Sequence, residues 1–295
     1  MNKKRKYLPY IPLIILVILT ISIWGFLFKN NNHSKYLKVV FLDVGQGDAI
    51  YIEAPNGKQM LIDGGPDATL LSRLSKVMPF ADRSIDMILA THGDMDHIGG
   101  FPLLLDNYKV KNIIENGATS DSKIYSSLED KIKKKKINKI IAQRGMHIIL
   151  DNKRNIYFDV LFPDRDISNF ESNDGSIVGK LTYGENSFMM TGDATTYTEN
   201  LIGWNENDTT LDADVLKLGH HGSRTSSGIS WLEKVNPEVA IISVDKNNKY
   251  GHPHKEILDR LASLHIPFLR TSDLGNIVFK SDGYKLIYNN RPSLK

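Results

Sequence analysis

Short apolar runs bounded by Gly, Pro, Asn and Asp alternate along most of the chain with stretches whose apolar positions recur three and four residues apart, the pattern of strands interleaved with helices. Leu37 to Leu42, Ala49 to Glu53 and Gln59 to Ile62 read as strands, the last two joined by a turn at Pro55-Asn56-Gly57. Leu70 to Val77 reads as a helix, Ile85 to Ala90 as a strand, Ile98 to Asn107 as a helix and Lys109 to Ile114 as a strand. The second half repeats the scheme. Strands at Ile137 to Ala142, Met146 to Leu150 and Ile156 to Phe162 lead to a hairpin of Ser176 to Leu181 and Ser187 to Thr191, and then to a helix from Thr195 to Trp204. Strands at Ala213 to Leu218 and Val239 to Val244 flank a short helix at Ile229 to Val235, and a helix at Lys255 to Leu264 precedes three short strands. No low-complexity linker or short-period repeat interrupts this order, so residues 36–295 are expected to form one α/β domain.

The amino-terminal stretch breaks the pattern. Lys3, Lys4, Arg5 and Lys6 precede Tyr7 to Phe28, an uncharged run long enough, at about 1.5 Å per residue, to cross a hydrocarbon core of about 30 Å. No small-x-small cleavage site follows Phe28. The expectation is a basic cytoplasmic tail (1–6), a transmembrane anchor (7–28), a tether (29–35) and a domain (36–295) held outside the cytoplasmic membrane.

Charge narrows the partners. The chain has 37 Lys and Arg against 34 Asp and Glu, but four of the basic residues lie before residue 29, which leaves 33 against 34 and a net charge of −1 for the rest. A globally basic polyanion binder is excluded, so any hold on a polyanion must come from metals and local patches. The dense patch Lys131, Lys133 to Lys136 and Lys139 follows Ile124, Leu128 and Ile132 at four-residue spacing, so it reads first as the wet face of an amphipathic helix and second as a phosphate-binding surface. The absence of cysteine removes thiolate chemistry and disulfides, and no protein partner can be read from the sequence.

The densest chemistry lies in Thr91-His92-Gly93-Asp94-Met95-Asp96-His97, between an apolar strand and a helix. Two imidazoles and two carboxylates this close would repel or go unpaired if buried, whereas a divalent ion satisfies nitrogen and oxygen donors together. Asp193 follows the strand Ser187 to Met190 and stands either as the cap of the next helix or as a metal ligand. His220 and His221 follow the strand Asp214 to Leu218, and consecutive strand side chains point to opposite faces, so one is placed to bind metal and the other to face substrate or to hydrogen-bond a ligand from behind. Spacing does not say which.

His92-Gly-Asp94-Met-Asp96-His97 resembles the second motif of the metallo-β-lactamase superfamily, with Asp94 where most members have a histidine. Phe41-Leu-Asp-Val-Gly-Gln-Gly-Asp48, Leu61-Ile-Asp-Gly-Gly65, Ser172-Asn-Asp-Gly-Ser176, Thr191-Gly-Asp-Ala194, Leu216-Lys-Leu-Gly-His-His-Gly-Ser223 and Tyr250-Gly-His-Pro-His254 are similar, in order, to the hydrolase-like carboxy-terminal domain of the competence protein ComEC and its stand-alone relatives. The resemblance implies a four-layer αβ/βα sandwich with two divalent ions, Zn2+ or Mn2+, at one edge. It implies His92, Asp94 and Asp193 on one ion, and Asp96, His97, Asp193 and His220 or His221 on the other. Asp63 would orient a ligand. Asn173, Asp174 and Ser176 occupy the place of a third-motif histidine that this chain lacks. Asp96, His221, His252 and His254 are the candidate catalytic residues, and hydrolysis by a metal-bound hydroxide is the implied reaction. A phosphodiester is the implied substrate class, with DNA ahead of wall or lipid phosphodiesters. A non-catalytic binding module is the remaining alternative.

Overall fold

The structure is a computed structural model describing residues 10–31, 34–79, 82–288 and 291–292. It divides into two units, Met1–Lys35 and Tyr36–Lys295. In the first, helix α1 spans Ile11–Asn31, with exposed apolar side chains from Ile11 to Trp24. The expectation of a transmembrane anchor at 7–28 is not met, because among the described residues no helix is long and apolar enough to cross a membrane. The single-pass, extracytoplasmic placement rested on that span and falls with it. The basic tail 1–6 and residues 7–9 lie outside the described residues.

The second unit is built on two mixed sheets. The chain runs through β1 (Leu37–Phe41), β2 (Ile50–Glu53), β3 (Gln59–Ile62), β4 (Ser84–Ala90), β5 (Lys109–Glu115) and β6 (Asn138–Ile141), then into the second sheet as β7 (His147–Asp151), β8 (Ile156–Phe162), β9 (Val178–Tyr183), β10 (Asn186–Met190), β11 (Val215–Lys217), β12 (Val239–Ile242) and β13 (Phe268–Arg270). It returns to the first sheet as β14 (Ile277–Ser281), β15 (Leu286–Tyr288) and β16 (Arg291–Pro292). The strand orders are β16-β15-β14-β1-β2-β3-β4-β5-β6 and β13-β12-β11-β10-β9-β8-β7. Strands β3 to β6 are parallel to one another, as are β10 to β13.

The two-residue period of the strands sorts their side chains into layers. In β1, Leu37, Val39 and Phe41 pack between the sheets with Phe188, Val215 and Phe279, whereas Val40 and Leu42 face the outer helices. Helices α2 (Thr69–Leu74), α3 (Met95–Ile98), α4 (Phe101–Asn107) and α5 (Lys123–Lys135) follow the strands of the first sheet, and Leu70, Phe101, Leu104 and Leu128 cover its outer face. Helices α6 (Thr196–Asn205), α7 (Asp208–Leu211), α8 (Ile229–Val235), α9 (Lys255–Ser263) and α10 (Thr271–Leu274) belong to the second half, with Leu201, Ile202, Leu232 and Leu261 against its sheet. The result is helices, sheet, sheet, helices. The helix expected over Ile98 to Asn107 is broken into α3 and α4, because Pro102 in the first turn of α4 has no amide with which to continue a helix.

Candidate metal centre

The carboxyl ends of the parallel strands in both sheets open toward one edge, where open α/β sheets commonly place ligands. Asp63 follows β3, Thr91 to His97 follow β4, Thr191 to Asp193 follow β10, His220 and His221 follow β11, and Ser243 follows β12. Gly192, at φ +50°, lets the Asp193 loop approach closely: a Cβ there would lie 2.9 Å from that of Thr91.

Asp96, His97, Asp193 and His221 each offer one ligand atom, all within 4.8 Å of one another. His97 Nε2 is 3.3 Å from Asp193 Oδ1, and His221 Nε2 is 3.3 Å from both Asp96 Oδ2 and Asp193 Oδ2. The opposite nitrogens are tied down. His97 Nδ1 lies 2.8 Å from Asp63 Oδ2, and Asp63 also accepts from the Thr91 amide (2.8 Å) and hydroxyl (2.7 Å). His221 Nδ1 donates to the Ser243 carbonyl at 2.9 Å. With Nδ1 of each ring held by these acceptors, both Nε2 atoms aim at the carboxylates, the arrangement of metal-binding histidines. Nε2 of His92, His97 and His221 are all buried without a hydrogen-bond partner. Buried imidazole nitrogens gathered beside two carboxylates are a donor set that fits a divalent cation.

The same cluster shifts its own titration. Burial disfavours a charged His97, but Asp193 and Asp63 outweigh it and raise the imidazole well above its ordinary range. For His221 burial is likewise overcome, chiefly by Asp193 and Asp96, raising it to about 9. Binding a divalent ion to such residues therefore releases protons. His92, with burial and the neighbouring His97 against its charged form, falls to about 4.

The remaining expected residues divide. His92 Nε2 is 3.7 Å from Asp94 Oδ2, and its ring lies 4.1 Å from that of His97. Asp94 is half exposed and accepts from the Ser172 hydroxyl at 2.7 Å. Of the third-motif candidates, Asp174 accepts the Thr195 hydroxyl, and Ser176 Oγ accepts from the Asp193 amide at 3.1 Å, so both hold loops in place. Asn173 keeps a buried Oδ1 without a partner. His220 lies outside the four-residue set, its Nε2 3.9 Å from Asp193 Oδ2 and its Nδ1 3.2 Å from the Thr225 hydroxyl. The His252 ring is 5.4 Å from that of His220 and 6.4 Å from that of His221, with a buried, unpartnered Nδ1. Burial and the neighbouring histidines His220 and His221 lower His252 to about 4. His254 stands farther out, 4.8 Å from His252 ring to ring, its Nδ1 accepting from the Arg224 amide at 3.1 Å.

Sequence reasoning missed Lys217 and took Asp48 only as the end of the motif Phe41 to Asp48. Lys217 is wholly buried, ion-paired to Asp48, and donates to the Gly192 carbonyl at 2.8 Å with Asp193 Oδ1 at 3.5 Å. Burial would lower its pKa, but Asp48 and Asp193 overcome that and raise it. The available signal was a lone lysine between two leucines in an otherwise apolar strand. Gly47, at φ +128°, lets the Asp48 loop lie against Asp96, whose carbonyl accepts the Asp48 amide at 3.2 Å. The lysine patch lies elsewhere. Tyr125, in the first turn of α5, is near Gly93, whereas Lys133 to Lys136 are exposed at and just beyond the opposite end of that helix; Lys131 pairs with Asp106 and Lys139 with Glu115.

Known proteins share this layout. ComE operon protein 3 of Bacillus subtilis is 31% identical over 268 residues, covering 82% of this chain and 33% of the relative. Recombination protein 2 of Haemophilus influenzae is 31% identical over 229 residues, covering 75% and 26%. The chain thus spans a third or less of the length of these curated relatives. Among solved structures, the metallo-beta-lactamase fold protein YhfI of Bacillus subtilis superposes with a TM-score of 0.56 at 14% identity, covering 83% of this chain and 100% of that one. Residues 42–245 match the model of the Metallo-beta-lactamase superfamily, and with its two-sheet sandwich and its ordered His and Asp loops the chain belongs to that superfamily.

Proposed function

We propose that this chain is a metal-dependent phosphodiesterase acting on DNA. The observation that supports it most is the convergence of the buried Nε2 atoms of His97 and His221 on Asp193, with Asp96 beside His221 and the His92 ring against that of His97. Asp96, His97, Asp193 and His221 would hold one divalent ion, and His92 and Asp94, sharing Asp193, a sparser second, with zinc or manganese suited to such mixed donors. Such ions supply Lewis acidity and make water a usable nucleophile near neutral pH. The chain's own residues do the positioning. Asp63 and the Ser243 carbonyl hold His97 and His221 in one tautomer, so no reorientation is needed at the moment of reaction. Asp96, about a third exposed, is the member of the set that reaches the open groove and orients the attacking water. His252, neutral near pH 7, offers a hydrogen bond to a phosphate oxygen, and His254 packs edge-on against its ring. DNA is favoured among phosphodiesters by relatedness to a recombination protein.

Elemental analysis of protein purified without chelator, paired with turnover of bis-p-nitrophenyl phosphate, tests this reading. Asp96→Ala and Asp193→Ala are each expected to lower turnover at least about 100-fold, about 2.7 kcal/mol of transition-state stabilisation, while His265→Ala leaves it unchanged. Absence of stoichiometric metal together with absence of turnover would sink the proposal. Equal losses in all three variants would show that the assay reports folding.

A further inference from the structure

We propose that Tyr250 is a stacking platform for a nucleobase next to the scissile bond, which makes a single-stranded polynucleotide the substrate; this rests on the phosphodiesterase reading above. The loop after β12 carries Tyr250 and is tied at its base. Asn248 Nδ2 donates to the carbonyls of Asp245 (2.9 Å) and His252 (2.7 Å), and its Oδ1 accepts from the His252 amide at 2.9 Å. Held there, the Tyr250 ring lies nearly parallel to that of His252, at 5.7 Å and 24°, yet remains 61% exposed. It belongs to none of the apolar clusters, so the fold does not require it. One face is backed by a histidine that abuts His220 and His221, and the aromatic surface left open lines the same groove as Asp96 and Gln46.

A rigid aromatic surface one ring away from the metal-binding histidines selects for a planar group beside the phosphodiester. A polyol phosphate has none, whereas every nucleotide does. Bases in a duplex already stack on one another, so only an unpaired strand presents a free face. Lys246 and Lys249 precede Tyr250 in the same loop, exposed and without an ion-pair partner among the described residues, and line the same groove, where they can pair with backbone phosphates.

The test is fluorescence anisotropy of the metal-loaded protein with three probes: a short thymidine oligonucleotide, an abasic oligonucleotide of the same length, and a duplex of that length. Wild type should bind the thymidine strand most tightly. Tyr250→Ala should weaken that binding about tenfold and leave abasic binding unchanged, while Tyr250→Phe retains the wild-type preference. Equal affinity of wild type for thymidine and abasic strands, or an unchanged preference in Tyr250→Ala, overturns the platform. Loss of abasic binding as well would mean that Tyr250 supports the loop rather than a base, which also overturns it. If no phosphodiester is hydrolysed at all, the catalytic reading fails while the base preference is still decided by the binding data.

Discussion

Lys217 carries a positive charge into an interior where only paired charges are tolerable, and its partners Asp48 and Asp193 are themselves buried. Lys217→Met keeps much of the volume but leaves Asp48 without its counter-charge. The expected cost is about 3–5 kcal/mol, read as a lower urea midpoint for the metal-free protein. An unchanged midpoint would mean that Asp48 is neutralised by something other than Lys217. At this scale the sequence was legible where residue types cluster and opaque where geometry decides. Spacing alone picked out four donors in the loop after β4, and two of them, Asp96 and His97, lie together with Asp193 and His221. Whether His220 or His221 joins them depends on two consecutive residues with positive φ, +46° and +54°, a turn that no spacing rule encodes.

Among the elements, strands were read to within about two residues because a sheet covered on both faces leaves near-continuous apolar runs bounded by turn residues; Gln59 to Ile62 and Ile156 to Phe162 match β3 and β8. Short elements were less legible. The four residues of α7 contain too little periodicity to distinguish them from a polar loop. Contacts between elements were not readable at all, and Glu199 illustrates why. From α6 its carboxylate accepts the Ser227 amide at 2.6 Å and the Gly228 amide at 2.9 Å, fixing the segment that leads into α8. Burial, only partly opposed by those two bonds, raises its pKa from 4.5 to about 7. The folded chain therefore keeps a proton that the unfolded chain loses as pH rises above 4.5, so this residue's contribution to stability declines across the window from about 4.5 to about 7. The decline is on the order of 3 kcal/mol. Glu199→Gln should flatten that part of the stability–pH curve, measured by urea denaturation at several pH values. An unaltered slope would assign it to other groups.

In the domain as a whole, the two sheets are joined by the core between them and by chain connections, and the four candidate metal ligands sit across that seam. Asp96 and His97 come from the first sheet, Asp193 and His221 from the second. A cation held by all four is a removable cross-link between halves of one fold. It binds the folded chain and has no comparable site in the unfolded one, so it stabilises in proportion to its occupancy, by about 2.7 kcal/mol at a free concentration 100 times its dissociation constant. Melting temperature should climb by several degrees as zinc or manganese is titrated in, and fall back on adding chelator. Asp193→Ala should abolish the response, whereas Tyr250→Ala should leave it intact. A melting curve indifferent to metal would detach the cluster from the stability of the fold. The seam also gives the ion a second meaning. An ion held there raises the cost of parting the halves, so divalent-cation supply would lengthen the time the folded domain survives proteolysis.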